Sequence, residues 1–395
     1  MVMNMNNKNW VSVWGNAVSI AEHHPEAYAK YITLRYPVYI PFAGDTLRFT
    51  FDNYCGSEAV TVTRATVSAA TSPVYEKMPL ACPCKKETIC DITFSKNESV
   101  TMEAHQTAVS DPVSFPVKKG MTLTVSLYFA DFTLMQSAVL VTGPLSKGFF
   151  SLGDQTHADA LPMDTTKTTN WFYFLSNIEL MTAEENHTVI CYGDSITAGA
   201  WPDYLTLLAR QNPDNHTAFI RRATSGSRVL RQYECITYDS YGLKGINRFP
   251  HEIPTTGADT VIIQQGINDI IHPVGIETNP FRPMSDLPTA KELIDGYRYY
   301  IEEAKKLHLK VYMGTLLPIF GWRTYATFRD DLRNELNAWI RSAKEIDGCI
   351  DFDLALRGSE NPSAFREGFD SGDHLHPSSK AYQAMAECAY EVLQR

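Results

Sequence analysis

Four short segments in the second half of the chain carry residues that suit nucleophilic acyl-transfer chemistry. In chain order these residues are Ser195, Gly226, Asn268, Asp373 and His376. An Asp and a His three residues apart across a turn can hydrogen-bond, carboxylate to Nδ1, which leaves Nε2 free as a base for a serine. An asparagine amide and free backbone N–H groups can stabilise an oxyanion. Each residue alone also fits a helix cap or a turn, so only their joint occurrence indicates a catalytic site.

The elements that would position these residues belong to a predicted parallel sheet. Short apolar runs alternate with helical stretches from about residue 188 onward, which indicates strands covered by helices on both faces. Ligands bind beyond the carboxyl ends of such strands, and each candidate follows a predicted strand. The predicted strands include 188–192, 261–265, 310–314 and 350–353, and the helices lie near 201–210, 287–306, 326–345 and 378–393.

The first half of the chain has a period-two pattern instead. Apolar residues alternate with Thr, Ser and Tyr in segment 121–129, which predicts a half-buried strand of an antiparallel sheet. Segments 31–40 and 46–51 are also rich in β-branched and aromatic residues. Many short strands with few helical stretches predict a β-sandwich over residues 1–183. The α/β domain would then occupy residues 184–395.

Several sequence blocks resemble the SGNH (GDSL-type) hydrolase family. TVICYGDSITAG, VIIQQGINDI and FDSGDHLHPSSKAY resemble its catalytic domain, and WVSVWGNA and NWFYFLSNIEL resemble the N-terminal β-domain of a two-domain bacterial subgroup. The resemblance implies a three-layer, flavodoxin-like α/β domain preceded by an antiparallel, jelly-roll-like β-sandwich. The four residues of the family name correspond to Ser195, Gly226, Asn268 and His376. No Gly-x-Ser-x-Gly elbow surrounds Ser195, which argues against an α/β-hydrolase.

The second family block departs from the usual pattern. Many relatives begin this block with Asn-x-Gly, whereas the matching positions here are Arg221 and Ala223. The difference could change the shape of the loop that carries Gly226.

The resemblance also implies a mechanism that needs no metal and no organic cofactor. Ser195 would attack an ester carbonyl, His376 would accept its proton, and Asp373 would hold the imidazole. The N–H groups of Ser195 and Gly226 and the side-chain amide of Asn268 would form the oxyanion hole. The neighbouring Asp194 and Asp269 are expected to shape turns through backbone hydrogen bonds.

The expected substrate is a short-chain carboxylic ester, with acetyl groups on carbohydrate preferred. Trp201, Phe320 and Trp322 follow the strands and could contact a sugar ring, an acyl chain or only the core. Three alternatives stay open: an aryl-ester or lysophospholipase-like lipase, acyl transfer to a sugar hydroxyl, and a sugar-binding protein with a vestigial site. The oligomeric state is not readable from the sequence.

Charge and hydropathy exclude some partners. The formal net charge is −10 and the pI is about 5.6, which disfavours nucleic acid and anionic membrane surfaces as partners. No apolar run approaches the length of a membrane span, and the first residues lack a signal-peptide core. We therefore expect a cytoplasmic chain with reduced cysteines.

Two groups of residues have the composition of weak metal sites. Cys82, Cys84 and Cys90 lie close together but lack a fourth ligand at the usual spacing, so a surface loop with free thiols is the simpler interpretation. His374 and His376 could form a metal pair, although no further ligand is evident. The prediction is that no metal is bound.

Overall fold

The computed structural model describes residues 8–20, 28–233, 242–274 and 282–394. The chain divides into two compact units, one formed by residues 1–188 with 213–220 and the other by residues 189–212 with 221–395. The boundary expected at residues 183/184 falls in the turn between strands Leu175–Ala183 and His187–Gly193.

The N-terminal unit is built from strands β1 to β18, which pair in antiparallel fashion, and a 3-10 turn at Lys86–Thr88. The strands are β1 Lys8–Gly15, β2 Ser19–Ile20, β3 Tyr28–Ala29, β4 Ile32–Tyr39, β5 Gly44–Asp52, β6 Val60–Val62, β7 Arg64–Ala69, β8 Cys90–Ile92, β9 Val100–Met102, β10 Thr107–Val109, β11 Val113–Val117, β12 Thr122–Phe129, β13 Thr133–Leu134, β14 Ser137–Leu140, β15 Gly148–Leu152, β16 Lys167–Thr169, β17 Trp171–Tyr173 and β18 Leu175–Ala183.

Two larger sheets dominate this unit. One has the order β1-β18-β5-β10, with β11 also paired to β5, and the other has the order β16-β15-β4-β12-β7-β8. Aromatic side chains join elements within the core: Phe129 lies 5.3 Å from Phe174 between ring centroids, and Tyr36 stacks on Phe172 at 4.6 Å. The antiparallel sheets fit the predicted β-sandwich and confirm an antiparallel β-domain ahead of the α/β domain.

Strand β12 is not half-buried, so that prediction is wrong. All eight of its residues are buried, including the Thr and Ser side chains of the face that was expected to meet solvent. The hydroxyl of Ser126 accepts a hydrogen bond from the guanidinium of Arg35 at 2.9 Å, and the hydroxyls of Thr124 and Ser68 lie 2.5 Å apart. Hydrogen-bonding partners inside the protein let this polar face lose contact with water.

From residue 187 onward the chain alternates strands and helices, as predicted. The strands are β19 His187–Gly193, β20 Thr217–Ala223, β21 Ala258–Gln264, β22 Lys310–Gly314 and β23 Gly348–Ile350. The helices are α1 Ser195–Ala198, α2 Trp201–Arg210, α3 Gly245–Glu252, α4 Ile267–Ile271, α5 Ala290–Lys306, α6 Thr327–Ser342, α7 Phe352–Leu356 and α8 Ser379–Leu393, with a 3-10 turn at Met284–Asp286.

These five strands form a parallel sheet with the order β20-β19-β21-β22-β23. Helices α2 and α7 pack on α8, whereas α3 and α6 pack on α5, which forms two separate helical layers. The flavodoxin-like α/β prediction is confirmed. Among the helices of the described ranges, none is both long enough and apolar enough to cross a lipid bilayer.

The strand predicted at 350–353 is wrong in its bounds. Strand β23 ends at Ile350, and Asp351 then caps helix α7 by accepting a hydrogen bond from the N–H of Leu354 at 3.1 Å. An Asp immediately after the short apolar run therefore starts a helix, because its carboxylate satisfies one of the free N–H groups of the first turn.

Candidate active site

A continuous chain of hydrogen bonds joins the three residues that are predicted to act as the nucleophile, the base and the carboxylate that orients the base. The Oγ atom of Ser195 lies 2.9 Å from Nε2 of His376, and Nδ1 of the same ring lies 2.6 Å from an oxygen of Asp373. Ser195 begins helix α1 directly after β19, and the other two residues lie in the loop before α8. A serine, a histidine and a carboxylate in this order can generate a nucleophilic alkoxide.

The carboxylate of Asp373 is held firmly by its own loop. One oxygen accepts the backbone N–H groups of His376 and Leu375 at 2.8 and 3.0 Å, and the other receives the imidazole. Partial burial raises the pKa of Asp373, but these hydrogen bonds outweigh it and lower the pKa to about 2. The group is therefore ionised at neutral pH, as a partner for an imidazolium must be.

The turn before Ser195 is shaped by two of its neighbours. Asp194 is fully buried and accepts the N–H of Ile196 at 3.0 Å, which caps helix α1. Burial raises the pKa of Asp194 to about 7, although the hydrogen bond from the N–H of Ile196 and the charge of Arg248 both lower the pKa. A Cβ atom on Gly193 would lie 2.3 Å from the carbonyl oxygen of Gln264, so only glycine fits there.

Gly226 lies in a tight turn that follows β20. Its φ angle is +74°, and the N–H of Ser227 closes the turn on the carbonyl of Thr224 at 3.2 Å. Positive φ at the third residue of such a turn strongly favours glycine. The side-chain amide of Asn268 donates to the carbonyl of Ser227 at 3.1 Å, which uses one of its two N–H bonds and ties α4 to the turn.

Asp269 fastens the same loop from the other side. Its carboxylate accepts the N–H groups of Val229 and Leu230 at 2.8 and 3.0 Å. Burial raises the pKa of this carboxyl to about 6, although both N–H groups lower it. Asp194 and Asp269 thus hydrogen-bond backbone, as the sequence predicted.

Comparison with protein-family models gives one match, which covers residues 191–384 and therefore all five of the predicted catalytic and oxyanion residues. The matching model is described as the GDSL-like lipase/acylhydrolase family. Residues 191–384 belong to this family. The reaction class is carboxylic ester hydrolysis.

Solved structures include several similar to the GDSL-like domain. A GDSL-like lipase from Bacteroides thetaiotaomicron is 20% identical, with a TM-score of 0.39, and the match covers 53% of this chain and 89% of that one. A catalytic mutant of Axe2, an acetylxylan esterase from Geobacillus stearothermophilus, is 18% identical, with a TM-score of 0.39, over 52% of this chain and 93% of that one. Among curated proteins none matches the chain significantly.

A buried arginine that no sequence pattern singled out lies behind the turn of Gly226. Arg228 is 1% exposed, and its guanidinium donates to the carbonyl of Gly226 at 3.0 Å and contacts Nδ1 of His272 at 2.9 Å. The same guanidinium lies over the ring of Tyr233, 4.0 Å from its centroid. An arginine two residues after a candidate oxyanion glycine is the only signal of this role in the sequence.

Arg221, at the position where many relatives have asparagine, is a second buried arginine of this region. It donates to the carbonyls of Thr197 and Gly199 at 3.1 Å each, and to Asp203 at 2.8 Å, so it holds the backbone that follows Ser195. A third buried arginine, Arg329, donates to the carbonyls of Ile270 and Pro273 behind α4.

Of the three aromatic residues expected near the substrate, the structure places Trp201 in the core. Its side chain is completely buried, donates to Thr197 at 3.3 Å and packs against Phe352 at 5.5 Å, so it presents no surface to a sugar ring. Phe320 is 47% exposed and Trp322 is half-buried, and both lie in the segment after β22. These two remain available for substrate contact.

Neither candidate metal site assembles in the part of the chain that the structure describes. No group of three His, Cys, Asp or Glu side chains there could hold a metal ion. Cys82 and Cys84 are buried instead of lying on a surface loop, and burial raises the pKa of the Cys82 thiol to about 12. The rings of His374 and His376 each pair with a separate aspartate.

Proposed function

We propose that this protein hydrolyses short-chain carboxylic esters, acetyl esters above all, with a carbohydrate or similar polyol as the alcohol. The observation that carries the proposal is the hydrogen-bonded chain from Ser195 through His376 to Asp373. A sugar-binding protein would have no need for an activated serine.

The first half of the reaction forms an acyl-enzyme. His376 accepts the proton of Ser195 through Nε2 while Oγ attacks the ester carbonyl. Asp373 accepts a hydrogen bond from Nδ1, which holds the tautomer and stabilises the imidazolium. The imidazolium then returns its proton to the leaving alcohol as the tetrahedral intermediate collapses.

The charge of the tetrahedral intermediate falls on an oxyanion, for which we propose three donors. They are the backbone N–H groups of Ser195 and Gly226 and the second N–H bond of the Asn268 amide. The first of its two N–H bonds already fixes the amide on Ser227, so the donor is oriented before substrate arrives. Water then attacks the acyl carbonyl while His376 accepts its proton, and the bond between the acyl carbon and Ser195 Oγ breaks to release the carboxylic acid as His376 returns the proton to Oγ.

Two features favour a small acyl group and a polar alcohol. The chain is acidic, which disfavours docking on an anionic lipid surface. The loop that carries His376 also exposes polar side chains, among them Asp373 and His374. Each methylene of a longer acyl chain that finds no apolar wall forgoes about 0.8 kcal/mol, so longer chains gain little.

An acyl-chain series tests this proposal. We expect kcat/KM for p-nitrophenyl esters to fall steeply beyond four carbons, and acetylated oligosaccharides to release acetate. The Ser195→Ala variant is the control for background hydrolysis. A rise toward eight or ten carbons would contradict the proposal and favour a lipase-like enzyme, and binding of oligosaccharide without turnover of any ester would favour a sugar-binding protein.

A further inference from the structure

A second imidazole–carboxylate pair lies in the loop that carries His376. The Nδ1 atom of His374 is 2.5 Å from an oxygen of Asp370, which repeats the 2.6 Å contact between His376 and Asp373. The side chain of His374 is 52% exposed. No step of the mechanism above uses this second pair.

The backbone at His374 adopts a left-handed conformation. Its φ angle is +64°, in the left-handed region that glycine enters freely and other residues enter at a cost. Asp370 holds the chain there, because one of its oxygens accepts the N–H groups of Gly372 and His374 at 2.8 and 2.9 Å. Residues kept in such conformations by their surroundings concentrate at functional sites.

A second segment of the domain makes room for the His374 ring. A Cβ atom on Gly321 would lie 2.7 Å from Cγ of His374, so the ring rests directly on the backbone there. Gly321 lies between the exposed Phe320 and the half-buried Trp322. This segment follows the carboxyl end of β22, the edge of a parallel sheet at which ligands bind.

The pairing with Asp370 decides which ring nitrogen can meet a ligand. When His374 is neutral and Nδ1 donates its hydrogen to the carboxylate, Nε2 carries a lone pair and acts as a hydrogen-bond acceptor. A hydroxyl group is the matching donor. Ethyl and phenyl esters carry no hydroxyl, whereas sugar and glyceryl esters carry several.

We propose that Asp370 and His374 form a subsite for the leaving alcohol, in which Nε2 of His374 accepts a hydrogen bond from a hydroxyl group of a sugar or polyol. This subsite would determine which alcohol the enzyme accepts, and it rests on the esterase function proposed above. His376 has to deliver a proton to the leaving oxygen, so the alcohol must come within reach of the loop that holds both histidines.

Esters that share one acyl group and differ in the alcohol test this subsite. We expect His374→Gly to lower kcat/KM for glyceryl monoacetate and monoacetylated xylose about tenfold, and to leave ethyl and phenyl acetate within about twofold of wild type. His374→Gln should recover part of the loss, because its side-chain oxygen can accept the same hydrogen bond. Glycine suits the backbone at this position, so thermal unfolding should show a folded variant.

His308→Gly is the matched control. His308 is exposed and has a φ angle of +60°, but it follows helix α5 and lies outside the proposed subsite. We expect this variant to hydrolyse all four esters like wild type. Equal losses on all four esters in His374→Gly, or no loss on any, would overturn the subsite.

Comparing glyceryl with ethyl esters of the same acid tests the alcohol subsite independently of the preference for short acyl groups. If octanoyl esters prove to be better substrates than acetyl esters, the short-chain proposal fails, and the ratio of glyceryl monooctanoate to ethyl octanoate still measures the subsite. His374→Gly should lower that ratio about tenfold. A wild-type enzyme that shows no preference for glyceryl over ethyl esters in either series would contradict the subsite alone.

Discussion

Arg35 in the N-terminal unit and Arg228 in the C-terminal unit are both 1% exposed, and each donates hydrogen bonds to backbone carbonyls. Arg35 bonds the carbonyls of Cys82, Gln155 and Ala158, at 3.2, 2.7 and 2.8 Å. Arg228 bonds the carbonyl of Gly226, whose N–H is a proposed oxyanion donor. Buried guanidinium groups thus hold loops of the N-terminal unit through Arg35 and hold the loop of the proposed oxyanion donor through Arg228.

This difference shows that burial of a charged group does not by itself mark a functional residue. What separates the two arginines is the loop that each holds. The comparison therefore predicts that matched substitutions lower stability in both units but lower turnover only in the C-terminal one.

The largest effect is expected for the nucleophile and its base. Ser195→Ala and His376→Ala should each lower kcat on the order of 10⁴-fold or more, because the triad acts as a unit. Ser126→Ala is the matched control, since it removes a buried serine that bonds Arg35. It should lower the midpoint of thermal unfolding and leave kcat within about twofold. Retention of most activity in either variant would contradict the catalytic role proposed for the substituted residue.

The next effect concerns the amide of Asn268. Asn268→Ala should lower kcat roughly 10²- to 10³-fold with little change in KM, because the amide bonds the oxyanion of the transition state. Asn53 provides the contrast, as its buried amide donates to backbone carbonyls of the N-terminal unit, including that of Met102. Asn53→Ala should change stability alone. Steady-state kinetics that show only a raised KM for Asn268→Ala would give this residue a different role.

How far the sequence predicts the molecule depends on how local the cause is. Strand Lys310–Gly314 is readable from the apolar run within it. The start of α8 is readable from the capping residue Ser378 that immediately precedes it. The places of Ser195, Gly226 and Asn268 are readable because each lies a few residues after a strand of one parallel sheet.

The remaining features depend on partners distant in sequence. The polar face of β12 is buried by Arg35, which lies 91 residues from Ser126. Trp201 is buried against Phe352, and Arg228 meets His272 across 44 residues. No periodicity within a single segment carries this information, so these features could not be predicted.

A pair of conservative substitutions sharpens the comparison between the two arginines. Lysine keeps the charge but cannot reproduce the several fixed N–H bonds of a guanidinium. Arg228→Lys should lower kcat ~10- to 100-fold, because small displacements of a catalytic group are costly, whereas Arg35→Lys should leave kcat unchanged. Both should lower the free energy of unfolding by about 1–3 kcal/mol. An equal fall in kcat in Arg228→Lys and Arg35→Lys would show that the two arginines do not differ in their effect on catalysis.

The smallest effect is a pH dependence of stability. Burial raises the pKa of Asp194 to about 7 from an ordinary value near 4, so the folded state binds a proton that the unfolded state has lost. Stability should therefore fall as the pH rises from about 4 to 7. Asp194→Asn removes this contribution, and its unfolding midpoint should decline less than that of wild type over the same range. Chemical denaturation at pH 4, 5.5 and 7 measures both slopes, and identical slopes would contradict the buried-acid explanation.

Covalent labelling tests the role of Ser195 most directly. A fluorophosphonate reacts with a serine that an adjacent base has activated and leaves a stable adduct. Mass spectrometry of the intact wild-type protein should show one adduct per chain, and peptide mapping should place it on Ser195. Ser195→Ala should remain unlabelled, and His376→Ala should react far more slowly. An adduct on another residue, or equal labelling of wild type and Ser195→Ala, would contradict the proposed nucleophile.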